Sequence, residues 1–106
     1  MTTVTLNTLQ CHSTTSGPGA DDVYINVDGV KVYGIHEFDD NDSEEIGVTR
    51  NFEDKAKIVV RDYDSTNPDD LIGAFWVHKS QAGTGEHAES LTGDGSSYDI
   101  YYDVTN

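Results

Sequence analysis

Apolar residues recur along this chain with the two-residue period of strands. Val4 and Leu6 open it among β-favouring threonines, with Leu9 a little further on. Val23-Tyr24-Ile25-Asn26-Val27 runs into Asp28-Gly29, and Val30-Lys31-Val32-Tyr33 follows. An Asp-Gly pair between two such runs is among the strongest short-range hairpin signals. Ile58-Val59-Val60 precedes a turn cluster, and Leu71-Ile72-Gly73-Ala74-Phe75-Trp76-Val77 comes after it. Phe75 and Trp76 are neighbours on that strand, so one supplies core and the other surface. In the last segment Tyr98, Ile100, Tyr102 and Val104 share one face, leaving Asp99, Tyr101 and Asp103 on the other. No amphipathic helical stretch of about ten residues appears. The pattern predicts an all-β protein, an antiparallel β-sandwich of about 7–8 short strands.

The connections carry more information than the strands. Segment 12–22 is a loop by composition, and segment 36–45 is an acidic run. Segment 62–70, Asp-Tyr-Asp-Ser-Thr-Asn-Pro-Asp-Asp, carries four carboxylates in nine residues. Segment 79–96 is Gly- and Ser-rich and reads as a further connection, with Gly93-Asp94-Gly95 as the turn before the final strand. When strands run alternately up and down, alternate connections fall at the same end of a sandwich. The three acidic connections are therefore expected at one pole. No repeat or long linker divides the chain, so 1–106 reads as a single domain.

Composition narrows the function. Six Lys plus Arg stand against twenty Asp plus Glu, a formal charge of −14 in 106 residues. Binding to a phosphate backbone needs clustered cations, so nucleic acid is excluded as a partner. No run approaches the roughly 18–20 apolar residues of a membrane span. The start, Met-Thr-Thr-Val-Thr-Leu, shows neither the basic nor the apolar part of a signal peptide, so a soluble protein is expected, of no assigned compartment. Cys11, the one cysteine, allows no intrachain disulfide and reads as a small buried hydrophobe. The four histidines have no zinc-type spacing. No nucleophile motif such as Gly-x-Ser-x-Gly occurs, and a chain this short leaves no room for a deep substrate cleft, so an enzyme is not expected. Such an acid excess fits solubility, life in high salt, or carboxylates serving as metal ligands.

The carboxylates favour the last. Asp62 and Asp64 sit where the Ile58 strand runs out, and residues two apart on extended chain point to the same side, about 6.6 Å apart. Like charges so close repel unless a cation lies between them. Calcium suits the position, since it takes six to eight oxygens at roughly 2.3–2.6 Å in a flexible geometry. Asp69 or Asp70, returning after the Asn67-Pro68 turn, can close the cage. An EF-hand is excluded: from Asp39 or Asp62, the positions that demand Gly and Glu hold Glu44 and Arg50, or Asn67 and Gly73.

The run Arg61-Asp-Tyr-Asp-Ser-Thr-Asn-Pro-Asp-Asp-Leu-Ile-Gly73 resembles the third calcium-binding loop of the C2 domain family. The resemblance places Asp62, Asp64 and Asp70 on that loop's three metal-binding aspartates. Asp22-Val-Tyr-Ile-Asn-Val27 is similar to the strand that leaves the family's first calcium loop, which implies a ligand role for Asp22. The earlier aspartate of that loop falls at Ser16 here, with Asp21 as the substitute. The family's Asn-Pro-x-Trp stretch is replaced by the acidic 37–45 run, whose Asp39, Asp40 and Asp42 read as a solvated charge run.

The resemblance implies a compact C2-like module binding one or two calcium ions, with anionic phospholipid as a partner bridged by the metal. Two other functions fit the same strands. One is a structural or protein-interaction module in which calcium is only a staple, with Tyr101 of the final strand as an anchor or self-association edge. The other is calcium-dependent carbohydrate binding, which needs Trp76 or Tyr63 exposed beside the acidic loops. The sequence sets no oligomeric state.

Overall fold

The computed structural model describes residues 1–106. Eight strands alternate in direction: β1 Thr2–Ser13, β2 Asp21–Val27, β3 Val30–Phe38, β4 Ser43–Phe52, β5 Lys55–Asp62, β6 Asp70–His78, β7 His87–Gly93 and β8 Ser96–Thr105. A single 3-10 turn, Lys79–Gln81, interrupts the β6–β7 connection. The strands form two four-stranded sheets, ordered β4-β1-β8-β7 and β3-β2-β5-β6, with every pairing antiparallel. The expected antiparallel sandwich is the observed one.

Side-chain alternation builds the core. Val23, Ile25 and Val27 from β2, Ile58 and Val60 from β5, and Tyr98, Ile100, Tyr102 and Val104 from β8 are all buried. Leu6 and Leu9 are three apart, yet both point inward. A bulge at Asn7 makes this possible, because the pairing of β1 with both neighbours skips that residue and resets the alternation. Between the sheets Phe38 and Tyr98 meet edge to face at 6.0 Å, and Phe75 lies 5.5 Å from Tyr102. Phe75 is thus the core member of its pair, and Trp76 is the exposed one.

The hairpin turns follow their sequence. Asp28 and Gly29 have φ of 49° and 84°, and Asp94 and Gly95 have 50° and 82°. Positive φ at both central residues is the type I′ pattern, whose twist matches the flanking strands, and Gly at the second position adopts it without strain.

The sequence reading needs correction at two connections. The 36–45 acidic run is largely strand: His36–Phe38 end β3 and Ser43–Glu45 begin β4, so the connection is 39–42. The 79–96 connection contains β7. Both overlooked strands lie at edges of the same sheet, and their faces are mostly exposed, so little apolar alternation marks them. The final strand is not a sheet edge either. β8 is interior, between β1 and β7, and Tyr101 is only half-exposed, its hydroxyl 3.5 Å from Gln10.

The molecule measures 42 × 24 × 19 Å. Twelve extended residues span about 40 Å, so β1 alone runs nearly the length of the molecule and the two poles lie far apart. Connections 14–20, 39–42, 63–69 and the 94–95 turn share one pole, as the alternation of strand direction requires.

Candidate functional site

Two pairings assemble the loop pole. β2 lies against β5 with Val23 opposite Asp62, which brings Asp22 beside the end of β5; the Tyr63 backbone N–H donates to the Asp22 carbonyl at 2.8 Å. β5 lies against β6 with Asp62 directly opposite Asp70, the seven residues 63–69 closing the hairpin. Like charges facing each other across a strand pair destabilise a sheet. The sequence nevertheless puts Asp64 just beyond them.

These residues and the 14–20 loop line a cup of 350 Å³, strongly polar and open to solvent. Asp21, Asp22, Asp62, Asp64 and Asp70 all line it, together with Ser16, Tyr63 and Ser65. None of the five carboxylates is paired with a Lys, Arg or His side chain. Asp21, Asp62 and Asp64 accept hydrogen bonds from neighbouring donors.

Asp62 accepts the Asp22 backbone N–H at 2.7 Å on Oδ1, and its Oδ2 lies 3.1 Å from the Thr15 hydroxyl. Burial still pushes its carboxyl above the usual range, with Asp21 and Asp70 adding repulsion. Asp70 is also raised, by partial desolvation and by the repulsion of the Asp94 carboxylate. Asp64 is lowered, because Oδ1 accepts the backbone N–H groups of Thr66 and Asn67 and the Thr66 hydroxyl. That arrangement is an Asx turn, and all three of these bonds fall on Oδ1.

Two aspartates expected as ligands have other commitments. Asp69 does not line the cup. Its oxygens accept the Tyr24 hydroxyl and the Asp64 backbone N–H, and these bonds hold its carboxyl below the usual range. Tyr24 alternates with buried Val23 and Ile25, so Asp69 is drawn toward the outer surface of its sheet. Burial and the Asp69 contact push the Tyr24 phenol up to about 12. Asp21 borders the cup but is 2% exposed, and its oxygens are occupied by Thr15 and Tyr98.

The 39–42 loop stays outside the cup. Asp40 accepts the Thr14 N–H at 3.0 Å and Asp42 accepts the Asp39 N–H at 2.8 Å. Asp94 was missed by sequence reasoning: flanked by two glycines, it reads as turn chemistry alone. Its backbone carbonyl accepts the Ser16 N–H at 2.7 Å, which ties the first loop to the β7–β8 turn. Tyr63 is 44% exposed on the cup's wall. Trp76 sits toward the other pole, with Lys55 Nζ 4.5 Å from its ring centre.

The donor set is all oxygen, the chemistry a hard divalent cation takes. The spacing is wider than a closed cage: no three acidic, His or Cys side chains converge to ligand distance. Binding would therefore draw Asp64 and Asp70 inward. Without a cation the repulsion is relieved by these hydrogen bonds, by solvent and by salt. Screening should stabilise the fold, and each kcal/mol recovered is worth about 4–8 °C in a chain of this size. The melting temperature is expected to rise steadily as sodium chloride is raised toward about 1 M, where the Debye length falls to roughly 3 Å.

The sandwich and the loop cup at one pole are the features of a C2-like domain. The chain matches a solved C2 domain over 100% of both chains, with 18% identity and a TM-score of 0.64. It also matches a C2 domain of a plant extended synaptotagmin, with 10% identity over 98% of this chain and 93% of that one, at a TM-score of 0.57. The fold is therefore C2-like. By sequence, no family model and no curated protein matches the chain. No helix is long and apolar enough to cross a membrane.

Proposed function

We propose that the chain is a non-enzymatic calcium-binding module in which Asp22, Asp62, Asp64 and Asp70 take one or two calcium ions at the loop pole. The observation that carries this reading is the placement of Asp62 opposite Asp70, with Asp64 at the same cup and no basic side chain to neutralise them. A cation supplies the missing compensation. It also ties the 63–69 loop to the ends of β2, β5 and β6, because Asp64 comes from that loop and the other three ligands from those strand ends. The match of the fold to C2 domains supports the reading further.

The metal itself is the partner in this account. Anionic phospholipid is the less favourable addition. Two calcium ions leave most of the −14 charge in place, and Ser16-Gly17-Pro18-Gly19-Ala20 offers no large apolar side chain to insert into lipid.

A second reading, a protein-interaction module with no metal, is favoured by the absence of a preformed cage and by the internal hydrogen bonding of Asp21. Calorimetric titration separates the two. Calcium added to the wild type is expected to give a saturable heat by millimolar concentration, and Asp62→Asn/Asp64→Asn is expected to give none. A silent wild type selects the metal-free module.

A further inference from the structure

Asp21 is the first residue of β2, and the strand's alternation turns it inward on the same side as Val23, Ile25 and Val27. A carboxylate so placed must find donors or a cation, since an uncompensated buried charge is strongly disfavoured. No Lys, Arg or His reaches it. Instead it accepts the Thr15 backbone N–H at 3.0 Å, the Thr15 hydroxyl at 2.6 Å and the Tyr98 hydroxyl at 2.6 Å. Tyr98 comes from β8 of the opposite sheet and is 0% exposed, and Thr15 is 6% exposed. The Thr15 hydroxyl also lies 3.1 Å from Asp62 Oδ2. It has one proton, and the shorter contact commits that proton to Asp21. Both oxygens of Asp21 are thus facing donors, which leaves them poorly placed to serve a cation in the cup.

We propose that Asp21 is a positioning residue rather than a ligand: it anchors the 14–20 loop to Tyr98 in the core of the opposite sheet, so that one wall of the cup is ordered before any cation arrives. The anchor takes the place of metal as the device that holds the first loop. It also lowers the entropic cost of any later binding, because a wall already in place need not be ordered by the ligand.

The test reads amide exchange by NMR in excess chelator, so its outcome does not depend on whether the protein binds calcium. In the wild type the Thr15 amide is expected to be strongly protected. Tyr98→Phe removes one donor while keeping the ring, and should speed Thr15 exchange by about tenfold, the worth of roughly one net hydrogen bond. Val60 exchange in β5 should stay unchanged and so report an intact fold. Asp62→Asn should leave Thr15 protection intact. The second pair needs no change in the core: Thr15→Ala should lose protection across 14–17, and Thr15→Ser, which keeps the hydroxyl, should restore it. Calcium titration of Tyr98→Phe should keep the wild-type stoichiometry if the wild type binds. Thr15 exchanging freely in chelator, or a Thr15→Ala variant protected as well as Thr15→Ser, would overturn the proposal.

Discussion

Tyr98→Ala is expected to bring the protein to the edge of unfolding. The ring is fully buried and packs edge to face on Phe38 across the two sheets, 6.0 Å between centres. Its hydroxyl donates to Asp21, and burial together with that carboxylate pushes the phenol far above its ordinary pKa, so it remains a donor wherever the fold survives. Truncating a buried aromatic to Ala costs roughly 3–5 kcal/mol from lost contacts and the cavity left behind. Leaving Asp21 short of a donor adds to that loss. Against a total stability of about 5–15 kcal/mol for a domain, this is a large part. Urea denaturation should show the midpoint falling sharply, whereas Tyr98→Phe should lose about 1 kcal/mol. Equal losses from the two substitutions would mean that the ring contributes little and that the core is held elsewhere.

Saturating calcium should produce the largest gain. A ligand that binds the folded state alone stabilises it by about 2.7 kcal/mol when its free concentration is a hundred times the dissociation constant. For a chain of this length that corresponds to a melting temperature higher by on the order of 10–20 °C. The gain should exceed what the same ionic strength of sodium chloride provides, because screening acts on all twenty acidic residues weakly while calcium acts on the cup. Chelator should reverse it. Magnesium should give less, since it demands tighter octahedral geometry and keeps its water. A shift no larger than that from sodium at matched ionic strength would reduce calcium to a general counterion.

The strands that could be read in the sequence are those that bury one face. β2, β5 and β8 carry unbroken alternation because each lies inside its sheet, and the β2–β3 hairpin declares itself through Asp28-Gly29. β4 and β7 are edges whose side chains mostly meet solvent, so no selection of apolar residues at every second position marks them. β1 was readable at Val4 and Leu6 but not in full, because the bulge at Asn7 breaks its period.

At the pole the same logic holds. The spacing of Asp62, Asp64 and Asp70 is local, fixed by one strand end and one hairpin, and could be read directly. Whether Asp69 or Asp70 faced the cup could not, because that depends on Tyr24, which is 45 residues away in the chain and draws Asp69 outward. The engagement of Asp21 by Tyr98 spans 77 positions and two sheets. Asp94 joins Asp70 only because β6 and β7 pack side by side. There Gly73 faces Leu91 and Gly93 faces the Leu71 carbonyl, positions at which a Cβ would find no room. Contacts of this kind come from the topology as a whole and leave no short-range signature.

The most direct measurement uses the exposed tyrosine on the cup's wall as a reporter. Terbium, which shares calcium's preference for oxygen ligands, emits when excited through a nearby aromatic ring, and Tyr63 stands beside Asp62 and Asp64. The account predicts saturable green emission on terbium addition, displaced by calcium, strongly reduced in Tyr63→Phe and lost in Asp62→Asn/Asp64→Asn. Emission that survives the double substitution, or no sensitised emission at any concentration, would contradict it.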